Sequence, residues 1–266
     1  MSVLGGSIFV HNAVKFDYCL REAIESLCYT CDHVVALDAG SQDGTFEIMQ
    51  ECQKKFSNLR VFNHGSWECA PDKHRLSILA NQAKDLLPSE CDWHFMLQAD
   101  EVIHENARDV IKRVTSSEKN SKGFWCRRFN LWGDFDHYVG LQSKYRPCGD
   151  YPCRLAIRSS KAVGDAESLD LFSSANREFV DQIVIFHYGL VRNPVIICDK
   201  IIDMQSWFFG FGGQPDPRVV KNKAEYGMFQ PFDTIPQSEL CKIPVSHPVF
   251  MEEWLKERRP KWPFKV

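Results

Sequence analysis

No stretch of this chain stays apolar for long. A bilayer-spanning helix needs about 20 apolar residues, and the richest candidate, Ile183 to Ile202, is interrupted by His187, Arg192, Asn193, Asp199 and Lys200. No transmembrane segment is expected. An excess of charge is missing too: 32 Lys and Arg against 35 Asp and Glu leave a formal charge of −3. There is thus no global basic field to draw in nucleic acid. The opening Met1-Ser2-Val3-Leu4-Gly5-Gly6 has no basic leader, and Ile8-Phe9-Val10 is too short for a signal core. Internal repeats and low-complexity tracts are absent. These absences point to a soluble, cytoplasmic protein.

Cysteine is plentiful, with eleven residues, but paired spacing is not. Cys28 and Cys31 form a lone C-x-x-C, and a zinc site that adds Cys148 and Cys153 departs from the usual spacing. The odd number and the scatter read as reduced, partly buried thiols. A hydrophobic fraction of 44% and a charged fraction of 25% over 266 residues suit one large or two small globular domains with a substantial core.

Apolar runs and helical periods alternate through the first hundred residues. Strands are predicted at Ser7–Val10, Val34–Leu37, Leu59–Phe62 and Trp93–Leu97. Between them, helical spacing recurs through Phe16 to Leu27, Ile48 to Phe56 and Leu76 to Leu87. This alternation argues for a mostly parallel sheet with right-handed crossovers. A further helix through Val110 to Val114 leads to a polar run, Ser116 to Lys122, the candidate joint between halves. Beyond it lie strand-like pieces at Gly123–Phe129, Arg154–Ile157 and Gln182–Phe186, and a helix from Pro194 to Trp207. Gly210-Phe211-Gly212-Gly213, with Pro215 and Pro217, breaks that helix, and a short helix lies in the tail after Met251.

Two strand ends carry acid. Val34–Leu37 runs into Asp38-Ala39-Gly40-Ser41-Gln42-Asp43-Gly44-Thr45, a strand-to-helix turn in which Asp43 can cap the next helix. Trp93–Leu97 runs into Gln98-Ala99-Asp100-Glu101. Open α/β sheets bind ligands at the carboxyl ends of their strands, and two acidic tips on one edge suit a metal and a phosphorylated ligand.

Together these stretches resemble the family 2 inverting glycosyltransferases. That family carries a D-x-G-S-x-D-G-T turn, matched from Asp38 to Thr45, and a later D-x-D metal motif in which Gln98 replaces the first carboxylate. The resemblance implies an α/β GT-A (Rossmann-like) fold, with a mostly parallel central sheet flanked by helices and a smaller acceptor-side subdomain. Residues 1–115 would hold the nucleotide-sugar donor and a divalent cation, Mn²⁺ or Mg²⁺; residues 116–266 would form the acceptor-binding half and the tail. Hard oxygen ligands suit either ion, and imidazole is compatible with Mn²⁺.

Residue by residue, the resemblance places Asp38 at the nucleoside, with Asn12, Asp43 and Arg75 near it. The alternative for Asp38 is a turn-stabilising Asx bond, and for Asp43 a helix cap. Asp100 is the implied metal ligand, and Gln98 would contact the sugar or a ligated water. His187, in Phe186-His187-Tyr188-Gly189, resembles the late histidine that completes the metal shell; alone it reads as a core histidine. An inverting displacement needs an acid on the acceptor side. Glu167, then Asp165, in Val163-Gly164-Asp165-Ala166-Glu167 lie where the family places it.

The acceptor is expected to be a glycan or another hydroxyl. Lys122 to Trp132 interleaves aromatic and basic residues. It reads as a core strand with snorkelling arginines or as a stacking surface. With the basic tail from Arg258 to Lys265, it keeps a modified nucleic-acid base as a lesser option for the acceptor. The rival readings are a silent nucleotide-sugar-binding module and a sugar-phosphate nucleotidyltransferase. Against the latter, Gly5-Gly6-Ser7-Ile8 lacks the threonine and arginine of a G-x-G-T-R loop.

Overall fold

The computed structural model describes residues 2–63, 65–70, 73–117, 121–144, 151–170, 177–207 and 216–264. The predicted breaker at residues 210–213 with Pro215, Cys148, the middle of the 116–122 joint and Lys265 lie outside the described residues.

Strand and helix alternate where the period says they should. β1 (Leu4–Val10), β2 (His33–Asp38), β3 (Leu59–Asn63) and β4 (Trp93–Leu97) are separated by α1 (Leu20–Thr30), α2 (Thr45–Lys55) and α3 (His74–Asp85). The strands pair in parallel in the order β3-β2-β1-β4. After β4 the alternation stops. β5 (Glu101–Ile103), α4 (Ala107–Thr115), β6 (Gly123–Asn130), β7 (His137–Val139), β8 (Cys153–Ile157), β9 (Lys161–Ala162), β10 (Leu169–Asp170) and β11 (Arg177–His187) follow. α5 (Pro194–Trp207), α6 (Pro217–Tyr226), β12 (Leu240–Lys242) and α7 (Glu252–Arg258) complete the elements.

β8, β6, β11 and β5 extend the same sheet to eight strands, in the order β3-β2-β1-β4-β8-β6-β11-β5. Only β8 and β5 run against the others. This is a mostly parallel α/β sheet flanked by helices, consistent with the GT-A architecture. The short pairings β9–β10 and β7–β12 lie apart from it.

The step from β4 to β5 forces a curl. Four residues of chain from Leu97 to Glu101 reach at most roughly 14 Å. Four inter-strand steps, which separate β4 from β5 in the sheet order, cover about 19 Å on a flat sheet. The sheet must therefore bend toward this link, and the bend brings Gln98, Ala99 and Asp100 over its carboxyl edge.

One face of the sheet is covered by α1, α2 and α4, through Ala23, Ile24, Leu27, Met49, Cys52 and Ile111. α3 and the turn that follows it cover the other through Leu79, Ala83 and Leu87. Cys28 and Cys31 are buried in the first layer and Cys153 in a different cluster. Burial pushes the Cys28 thiol up to about 12 and the Cys31 thiol well above its ordinary range, which leaves both protonated and inert. The tail packs down: Met251, Trp254 and Leu255 join Phe129, Phe186 and Tyr188. Arg258 reaches Asp17 and Arg259 reaches Asp136, each at 2.7 Å. No helix among the described residues is long and apolar enough to cross a membrane.

Candidate active site

The register lines up the carboxyl ends of the parallel strands. Val10 stands opposite Asp38, and Asp38 opposite Asn63. On the other side of the curl Asn130 pairs with His187, and His187 with Glu101. A cavity of about 310 Å³ opens on this edge, and Gln98, Asp100, Asp165, Glu167 and His187 all line it. Phe9, Phe16, Tyr18, Trp67, Leu76, Leu190 and the α5 residues Ile197, Ile201 and Met204 make most of its wall apolar.

Asn12, Asp38, Asp43 and Arg75 do not line the cavity. Asp38 is fully buried, and its carboxylate accepts the N–H groups of Gly40 and Ser41, both at 3.1 Å. Asp43 accepts the first N–H of α2, that of Thr45, without holding the N-cap position itself. Gly44 holds the N-cap position at φ 90°, where a side chain would be strained. Asp43 also accepts from Thr45 Oγ1 and, across the loop, from Lys15 N at 2.6 Å. Asn12 Oδ1 accepts from Gln42 N at 3.0 Å. Arg75 lies over the indole of Trp67, 5.1 Å from its centroid, and donates to Ala70 O. His11, beside Asn12, does line the cavity and stacks on Trp67 with centroids 4.6 Å apart.

The Asp100 corner is built from distant parts. Asp100 is buried; its Oδ2 lies 3.3 Å from Lys200 Nζ and 3.5 Å from Arg192 Nη2, and its Oδ1 lies 3.7 Å from His187 Nε2. Burial works to raise its proton affinity, but Lys200, His187 and Arg192 outweigh it and hold the carboxyl well below the usual range. Gly189 leaves the space: a Cβ there would overlap His187 Nε2 and stand 3.1 Å from Asp100 Oδ2.

Next to it, Glu101 Oε1 accepts from Arg128 Nη1 at 2.8 Å and Arg154 Nη2 at 2.7 Å, with all three side chains buried. Burial again opposes ionisation, and the two guanidinium groups overcome it, bringing Glu101 down to about 2. Arg128 also holds Glu167 Oε1, and Gln98 Nε2 donates to Glu167 Oε2 at 3.4 Å. Arg154 Nη1 donates to Ala166 O at 2.9 Å. This fixes the β9–β10 turn, where buried Ala166 carries φ 57°. Asp165 Oδ1 accepts from Glu167 N within that turn.

No protein-family model and no curated protein matches the chain. Among solved structures it is similar to S. aureus TarS 1–349, at 13% identity and a TM-score of 0.44, covering 76% of this chain and 64% of that one. The same fragment in complex with UDP-GlcNAc matches at 14% identity and a TM-score of 0.43, covering 76% and 65%. The mannosyltransferase PcManGT from Pyrobaculum calidifontis, in complex with GDP-Man and Mn²⁺, matches at 10% identity and a TM-score of 0.46, covering 89% and 68%. The chain thus spans slightly less than two thirds of the TarS fragment.

The donor chemistry can be tested against a divalent cation. Among the described residues no group of three or more His, Cys, Asp or Glu side chains converges. Two groups do face each other. His187 Nδ1–H donates to Asn130 Oδ1 at 3.0 Å; in the neutral ring this would leave Nε2 as the ligating nitrogen, the outer-shell support expected of a ligating histidine. Ligand bonds of about 2.1 Å can span the 3.7 Å between Nε2 and Oδ1. Asp100 and His187 are the residues that would hold such an ion, its remaining ligands coming from outside this pair.

Sequence reasoning missed Lys200, Arg192, Arg128 and Arg154. Arg128 does not snorkel; it is buried in ion pairs. Lys200 has a local signal: it lies three residues after Ile197 and four before Met204, on the stripe of α5 that lines the cavity.

Proposed function

We propose that the chain is a family 2-like, inverting glycosyltransferase that takes a nucleotide-sugar donor. One observation carries the reading: five residues singled out for donor, cation and proton transfer, spread from Gln98 to His187, line one cavity. Residues 1–115 would bind the nucleoside, with His11 and Trp67 offering a ring surface at the cavity wall. Residues 116–266 would form the acceptor side, and would lend His187 and Lys200 to the donor side.

In the transfer the acceptor oxygen forms a bond to the anomeric carbon as the bond from that carbon to the diphosphate breaks. The electron pair leaves with the diphosphate, and the hydroxyl proton goes to a carboxylate. We assign the proton to Asp165. Glu167 already receives Arg128 and Gln98 on its two oxygens, whereas Asp165 holds only the N–H of its own turn among the described contacts. Glu167 then serves as a positioning residue. Lys200 and Arg192 provide positive charge beside Asp100, where developing phosphate charge is stabilised. Mn²⁺ or Mg²⁺ held by Asp100 and His187 would add Lewis-acid neutralisation of the departing oxygen.

The test is turnover of UDP- and GDP-sugars with Mn²⁺, reading nucleoside diphosphate release. Asp165→Asn is expected to lose at least about a hundredfold in kcat, and Glu167→Gln less. Equal activity of wild type and Asp165→Asn would remove the assigned base. Pyrophosphate release from a nucleoside triphosphate would replace transfer with nucleotidyl transfer.

A further inference from the structure

The two cations on Asp100 Oδ2 are held very differently. Arg192 is fully buried, donates from Nη1 to Phe16 O at 2.9 Å, and lies 4.4 Å from the centroid of the Tyr18 ring. It is a fixed part of the wall. The Lys200 side chain is 20% exposed, reaches in from the cavity face of α5, and rests its ammonium 4.7 Å from the centroid of the same ring. Its bond to Asp100 is 3.3 Å long, and its stem is flexible. The two oxygens of Asp100 therefore look two ways, Oδ1 toward His187 Nε2 and Oδ2 toward a lysine on a flexible stem.

We propose that Lys200 is a resident counter-ion that competes with a divalent cation for Asp100 and passes to the diphosphate of the bound nucleotide, making cation and nucleotide binding cooperative. This rests on the donor-site reading above. An ion between Asp100 and His187 places two positive charges within a few ångströms of Lys200 Nζ, and repulsion at that range in a partly buried site costs several-fold in affinity. A nucleoside diphosphate reverses the balance, because it offers the ammonium a more highly charged partner in the same cavity. By linkage, whatever nucleotide gains from the cation, the cation gains from nucleotide. In the absence of ligands the lysine adds to Arg192 and His187 in satisfying a buried carboxylate.

Mn²⁺ binding, read by electron paramagnetic resonance with and without UDP or GDP, tests this without turnover. Wild type is expected to bind Mn²⁺ weakly alone and at least tenfold more tightly with a nucleoside diphosphate. Lys200→Gln should bind Mn²⁺ alone about tenfold more tightly than wild type and lose most of the nucleotide effect. Lys200→Arg, which keeps the charge, should retain the wild-type pattern, and thermal melts of all three proteins report folding. Equal Mn²⁺ affinity of wild type and Lys200→Gln, within twofold, would overturn the competition while leaving the cation site standing. A gain in affinity with undiminished nucleotide coupling would overturn the transfer of Lys200 to the diphosphate. If neither protein binds Mn²⁺ under any of these conditions, the cation site fails and the competition fails with it.

Discussion

Asp38 and Asp100 stand on the same sheet edge, yet Asp38 is answered by N–H groups two and three residues further on, while Asp100 meets a lysine 100 residues away. The first tip is a self-contained turn, and any chain that forms β2 and α2 can build it. The second exists only when β5, β6, β8, β11 and α5 are all in place. A tip satisfied by its own backbone is a rigid shelf. A tip balanced by mobile and fixed cations can redistribute its charge when a ligand arrives.

Acid should bring the largest change, because it reaches the buried long-range groups. Glu101 is depressed to about 2 from an ordinary 4.5. Its stabilisation, roughly 3 kcal/mol, is present above pH 4.5 and disappears as the pH falls through 2. Burial lowers His247 to about 4 and His94 to about 3, from 6.5. Their contribution is complete above pH 6.5 and is lost as the pH falls through 4 and then 3. Urea midpoints should therefore decline steadily below pH 6.5, and a flat profile from pH 7 to 4 would contradict this.

Arg154→Met comes next, at about 3–5 kcal/mol, since it strands Glu101 beside a single guanidinium. Its urea midpoint is the readout, and a loss no greater than that of Asp38→Ala would erase the distinction between the two tips. Gly189→Ala should leave melting nearly unchanged but push His187 from Asp100, costing transfer roughly a hundredfold; full activity would show that the pair need not meet. Asp38→Ala removes only local turn bonds and should cost about 1–2 kcal/mol. Arg21→Ala breaks an exposed pair with Glu51 and should stay within about 0.5 kcal/mol, which sets the floor for the comparison.

The same contrast explains what the sequence disclosed. α1 to α3 were legible because each buries one face against the sheet, and burial imprints a helical period; β1, β2 and β4 were legible as short apolar runs, buried almost throughout. His187 and Asp100 were legible through their likeness to known strand-end motifs. β5 was not: three buried residues carry no period, and their partner is β11, far along the chain. Arg128 read as one of the snorkelling or stacking arginines of its strand and Arg154 only as the start of another, because nothing beside them in sequence announces Glu101. Lys200 looked like a mere interruption of an apolar run, and only the packing of α5 against the cavity gives it a partner.

The β4–β5 link has a consequence for how the molecule comes into being. During synthesis the four parallel strands emerge first and can collapse with their helices, but β5 then waits some eighty residues for β11. Contacts of such long range form late. The charged corner of the cavity would thus be among the last parts to set, and a nascent chain ending before His187 would lack it.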